Sequence, residues 1–136
     1  MKALTLTQPW ATAMAVEVKR IETRSWATGY RGLLAIHAAK GFPKQAKELA
    51  GQAYFDGLLP YPVPIGALVA IVRLVDCIRT EKIAPTLTSQ ELDWGDYMPG
   101  RWAWVTEFVE RIEPPIPARG ALGLWDVREQ ELGDER

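Results

Sequence analysis

With 136 residues, 48% hydrophobic and 24% charged, the chain has the make-up of one globular domain and no room for a second. It holds one cysteine, Cys77, and one histidine, His37, which excludes an internal disulfide and the usual Cys/His zinc set, so no metal and no cofactor is expected. No apolar run reaches the roughly 18–20 residues of a membrane span, and the opening MKALTLTQPW lacks a signal-peptide core, so no membrane partner and a cytoplasmic location are expected.

The formal net charge of −1 hides an uneven spread. Residues 1–50 carry eight Lys/Arg against three Asp/Glu, and residues 51–136 carry eight against fourteen. The excess in the first part reads either as a solvated surface or as a basic face toward an anionic ligand, because local charge sets the potential that a phosphate meets.

Taken in chain order, Thr7-Gln8-Pro9-Trp10 reads as a helix start, with a short apolar helix over Pro9–Val16. In Ile21–Trp26 a strand period of two puts Glu22, Arg24 and Trp26 on one face and Ile21, Thr23 and Ser25 on the other. Thr28–Gly32 is a turn by its glycines, and Leu33–Ala39 is an apolar run suited to a strand buried on both faces. Phe42, Ala46, Leu49, Ala50 and Ala53 fall at helical spacing between Pro43 and Gly57.

The prolines of Leu59–Pro64 make a stiff connector. Gly66–Ile78 and Arg101–Ile112 are the strongest strands. Between them Leu87–Asp96 predicts a short helix capped by Thr88 or Ser89. Pro114–Arg119 reads as proline-stiffened coil, Gly120–Val127 as a short closing strand or turn, and Arg128–Arg136 as a frayed charged tail. Strands dominate without a βαβ rhythm, which predicts an α+β fold: a small β-barrel with two to three inserted helices, spanning residues 1–128, followed by the tail 129–136.

Leu6-Thr7-Gln8-Pro9-Trp10, then Lys19-x-x-Glu22-x-Arg24-x-Trp26, then Tyr30-Arg31-Gly32 resemble, in order, the signature of the ASCH domain family. Trp94-Gly95-Asp96-Tyr97, Gly100–Trp104 and Arg119–Trp125 add to the match. The resemblance implies a PUA-like barrel with a cleft that receives bases or nucleotides, and implicates Trp10, Lys19, Glu22, Arg24, Trp26 and Arg31 as ligand-binding residues.

The residue chemistry points the same way. Guanidiniums contact phosphate bidentately, an indole offers a stacking plane, and a carboxylate accepts from the exocyclic amine of a base. RNA, single-stranded DNA, a nucleotide or a modified nucleoside are the expected partners of a basic cleft. Beside this stand bland readings: Glu22 and Arg24 as a structural ion pair, the six tryptophans as core, and His37 as a satisfied interior histidine.

Two alternatives remain open. The family includes metal-independent hydrolases, reported nucleases and amidohydrolases of acetylated cytidine, and in such an enzyme Lys19 and Glu22 would be the catalytic pair. In the amidohydrolase pattern Lys19 matches the lysine, but Glu22 stands where the threonine is needed, and the second acid falls near Arg73 with Asp76 the nearest carboxylate. A protein-interaction module using Pro60–Pro64 and Pro114–Pro117 is the other alternative.

Overall fold

Apolar residues in period two set up the first strand, β1 (Lys2–Leu6): Leu4 and Leu6 enter one core and Ala3 the layer on the opposite face. The computed structural model describes residues 1–132. In chain order it continues with helix α1 (Trp10–Ala15), strand β2 (Ile21–Arg24), strand β3 (Gly32–Ala38) and helix α2 (Lys44–Phe55). Strand β4 (Ala67–Arg79), helix α3 (Thr80–Ile83), a 3-10 turn at Ala84–Thr86 and helix α4 (Ser89–Asp93) follow. Strand β5 (Trp102–Pro117), strand β6 (Leu124–Asp126) and a 3-10 turn at Glu129–Leu132 complete the described chain.

The six strands form one curled sheet in the order β2-β5-β4-β3-β1-β6, a half-barrel with helices around it. β1 lies parallel to β3, and the other pairs are antiparallel. The expected apolar strand is β3, in which Leu34 through Ala38 are all buried. Its two faces feed two cores. Leu34, Ile36, Val72, Leu74 and Trp104 pack with Ala11 and Met14 of α1 on one side, while Ala35, Leu68, Ile71 and Ile112 pack with Val127 and Leu132 on the other.

Three expectations change. The proline-stiffened coil at Pro114–Arg119 is strand as far as Pro117. Pro114 and Pro115 fall where the β4–β5 register slips between Leu68 and Ala70, so their missing N–H groups break no paired position of the ladder. Helix α2 buries only Ala50 and Ala53 of its predicted stripe and leaves Leu49 exposed, because Ala53 packs in a small separate cluster with Ala13 of α1 and Leu59. In the expected frayed tail, Leu132 is buried in the second core, and residues 133–136 lie outside the described residues. The cap of α4 is as read: the Thr88 hydroxyl accepts from the Glu91 amide.

His37 is an interior histidine, joined to a directional chain. The Trp125 indole donates to the Thr5 hydroxyl at 3.2 Å, Thr5 Oγ1 lies 3.2 Å from His37 Nδ1, and His37 Nε2 lies 2.7 Å from the Ala118 carbonyl. A carbonyl can only accept, so Nε2 carries a proton and donates to Ala118. Gly120 covers this chain. A Cβ there would stand 2.7 Å from His37 Cε1 and 2.8 Å from Thr5 Oγ1, so the buried imidazole or the half-buried threonine must shift. Gly120→Ala is expected to cost about 1–3 kcal/mol, the range of an overpacked core; an unchanged thermal midpoint would contradict this packing.

Candidate nucleobase recess

The segment after α1 turns sharply at Glu17, whose φ of 65° carries the chain toward β2. There Lys19 is 2% exposed, the most buried cation of the described chain. Its ammonium donates to the Ile21 carbonyl and, at 3.0 Å, to the Trp94 carbonyl, and stands 3.9 Å from Glu22 Oε1. It also lies over the Trp10 ring, 5.7 Å from the centroid.

On the other side of Glu22, Arg24 Nη2 lies 3.1 Å from Oε2 and donates to the Thr5 carbonyl at 2.7 Å. The strand period therefore does bring Glu22 and Arg24 to one face, with the carboxylate between two cations. Arg24 in addition ties β2 to β1, the sheet members that no ladder joins.

A recess of about 340 Å³ opens beside Glu22, lined by Trp10, Trp94, Thr23, Asp93, Gly95 and Asp96. Helix α4 builds its far wall. Glu91 Oε1 accepts from the Arg20 amide at 3.0 Å, Gln90 donates to the Val18 carbonyl at 3.0 Å, and the Lys19–Trp94 bond holds the end of the helix. The two indoles meet at 5.7 Å with planes tilted by 57°, so one flank is aromatic. Thr23 is turned to the α4 side, where its hydroxyl accepts from the Asp96 amide at 3.0 Å.

The recess is acidic, where a basic cleft was expected. Glu22, Asp93 and Asp96 line it and no cation does. Lys19 is spent behind Glu22 on two carbonyls, Arg24 on Glu22 and Thr5, and Lys2 on Asp126 at 3.0 Å, so the positive charge of the first fifty residues is not concentrated here.

Of the six residues singled out from the sequence, Trp10, Lys19, Glu22 and Arg24 come together. Trp26 lies just past β2, 37% exposed and packed edge-on to Trp104 at 4.8 Å, outside the lining of the recess. Arg31 stands apart: it donates to the Thr28 and Tyr30 carbonyls and faces Asp76 at 3.7 Å. Arg73 is exposed on the outside of β4, opposite Glu107 in the ladder.

Sequence reading passed over Trp94, Glu91 and Tyr97 as site residues. The Trp94–Tyr97 stretch entered only as a supporting match to the family signature, with nothing to say which strand it meets.

Tyr97 carries the plainest physical signal. Its hydroxyl is buried and has no hydrogen-bond partner among the described residues. Burial, with Glu91 and Glu22 adding to it, pushes its pKa well above the usual 10.0, so it stays a donor. An unpaired buried hydroxyl costs about 1–3 kcal/mol, so Tyr97→Phe is expected to be more stable by that order in thermal or urea melts.

The pH dependence has a definite sign. Above pH 10.0 the unfolded chain loses the tyrosine proton that the folded chain keeps, so wild-type stability falls as pH rises past that point. The Phe variant should lack this component of the fall, and identical alkaline profiles would refute it.

Comparison with known proteins agrees with this fold. The model of the ASCH domain family matches residues 4–116. The chain belongs to the ASCH domain family. That family has a PUA-like fold of RNA-binding type. The chain is similar to Activating signal cointegrator 1 of Homo sapiens, 36% identical over 134 residues, and to that of Mus musculus, 35% identical. The alignment takes in 91% of this chain but only 22% of either relative's length.

Two crystal structures of ZmASCH mutants from Zymomonas mobilis superpose with a TM-score of 0.58, at 14% and 15% identity. They cover 96% of this ASCH domain and 91% and 89% of their own chains. Among the described residues no helix is long and apolar enough to cross a membrane, and no three His, Cys, Asp or Glu side chains are grouped to hold a metal ion.

Proposed function

We propose that this ASCH domain binds a nucleobase, within RNA or single-stranded DNA or as a nucleoside, in the recess beside Glu22. The observation that carries the reading is the Glu22 carboxylate, held in place by Lys19 and Arg24 at a recess flanked by the Trp10 and Trp94 indoles. A fixed carboxylate accepts from an exocyclic amine, and an indole offers the face on which a base stacks. The acid-rich lining suits a ligand that presents an exocyclic amine there, which cytosine and adenine carry and uracil lacks.

Binding is favoured over hydrolysis by the position of Lys19. As the base of an acid–base pair it would have to reach the reacting atom, whereas its amine is buried, donates to two carbonyls, and does not line the recess. Glu22 occupies the threonine position of the amidohydrolase pattern, and Arg73 faces outward.

The test is a tryptophan-fluorescence titration with cytidine, adenosine and uridine, and with short single-stranded RNA. Cytidine or adenosine is expected to bind about 5- to 150-fold more tightly than uridine, the range of about 1–3 kcal/mol for a good base contact. Equal affinity for uridine, or no binding by any of these ligands, defeats the reading.

A further inference from the structure

The acidic recess leaves open where the phosphates of a strand would go. A second and larger hollow, of about 1160 Å³, lies where β3 ends, β4 begins and the 118–123 loop crosses between β5 and β6. Its lining contains no carboxylate. It contains two exposed cations, Lys40 and Arg119, and neither makes an ion pair or a side-chain hydrogen bond with any described residue. By contrast, Lys2, Lys19, Arg24 and Arg31 are each engaged by an acid or a carbonyl.

The loop beside Arg119 adds donors: the backbone amides of Gly120, Ala121 and Leu122 have no partner within the described chain. Leu122, 98% exposed, and Ile65, 47% exposed, supply an apolar rim. The floor is the fixed pair Thr5 and His37.

Thr5 joins this hollow to the base recess. Its hydroxyl side belongs to the hollow, while its carbonyl takes the Arg24 guanidinium that braces Glu22. One strand residue therefore separates an acceptor-rich, aromatic recess from a carboxylate-free, cationic one. A single strand of nucleic acid presents that same alternation, with donor-bearing bases on one side and phosphates on the other.

We infer that the hollow between Lys40 and Arg119 holds the phosphodiester backbone of a single strand whose base enters the Glu22 recess, so the ligand is a polymer and not a free nucleoside. This rests on the proposed base site. Lys40 and Arg119 give point and forked charge to phosphate oxygens, and the free loop amides complete the cradle.

The experiment compares the full chain with a Lys40→Gln/Arg119→Gln double variant, using fluorescein-labelled single-stranded oligocytidylate RNA at several salt concentrations, with cytidine as the second ligand. Both side chains are exposed, so the double variant is expected to keep the wild-type fold, which a thermal melt checks. Binding of the RNA is expected to weaken roughly tenfold, the value of two exposed ion pairs. The slope of log K against log salt should shrink by about 1.4, at about 0.7 per lost phosphate contact. Cytidine affinity should not change.

An unchanged RNA slope in the double variant overturns the inference and leaves the base site standing. So does binding of cytidine by a wild-type protein that ignores the RNA. Binding of neither ligand overturns both readings. Displacement of the RNA by polyglutamate as efficiently as by unlabelled RNA would assign the hollow to a carboxylate partner and overturn the phosphate reading.

Discussion

Glu22→Gln is expected to weaken cytidine or adenosine binding by roughly 10- to 150-fold while leaving most of the fold's stability in place. The amide keeps the size of the side chain but turns a charged acceptor into a neutral one, and a hydrogen bond to a charged group is worth about 1.5–3 kcal/mol. Its structural cost is smaller, because Lys19 keeps the Ile21 and Trp94 carbonyls and Arg24 keeps Thr5. Fluorescence titration paired with a thermal melt separates the two effects. Unchanged affinity with a large loss of melting temperature would make Glu22 a structural ion-pair partner and nothing more.

Lys19→Met should do the reverse, acting first on folding. Methionine fills much of the same space, but the Ile21 and Trp94 carbonyls lose their donor and Glu22 loses one of its two cations. Removing one member of a buried, hydrogen-bonded charge pair costs about 3–5 kcal/mol. In a domain of this size that lowers the melting temperature by on the order of 10–20 °C.

A pH signature accompanies the loss. Burial holds the Lys19 ammonium below its usual 10.5, against the raising pull of Glu22 and Glu91. As pH approaches 10.5 the unfolded chain therefore keeps a proton that the folded chain has released, and this group's contribution to stability rises with pH in that window. The Met variant should lack the rise. A variant as stable as wild type, with the same pH profile, would show that the buried amine is not a keystone of the site.

How far the site could be read from sequence follows from what each residue depends on. Glu22 and Arg24 are two apart on a strand, and backbone geometry alone puts them together. That Lys19 lies beneath them depends on the turn at Glu17 and on α4 folding over it, which no local pattern reports. The acidity of the recess was invisible for the same reason: Asp93 and Asp96 are about seventy positions away from Glu22. A count of charges along the first fifty residues said nothing of the acids that the fold sets opposite them.

Arg31 and Trp26 share the motif and its spacing, yet the chain bends after Arg24 and separates them from the recess. In the fold, the long strands β4 and β5 and the interior His37 were legible from composition. The parallel β1 was not, because five residues next to a proline-led helix carry too little periodic signal.

The pairing of β1 with β6 brings the two ends of the described chain to one spot: the Val127 amide donates to the Met1 carbonyl at 2.9 Å. A domain whose first and last strands are neighbours can be spliced into a surface loop of a host protein through two junctions side by side, without prying open its core. The same adjacency lets the ends be joined by a short linker and new ones cut elsewhere, for instance in the exposed turn at Asp56–Gly57, with both cores and both recesses left whole. As a portable unit, this barrel carries its ligand chemistry with it and asks of its host only a pair of closely spaced attachment points.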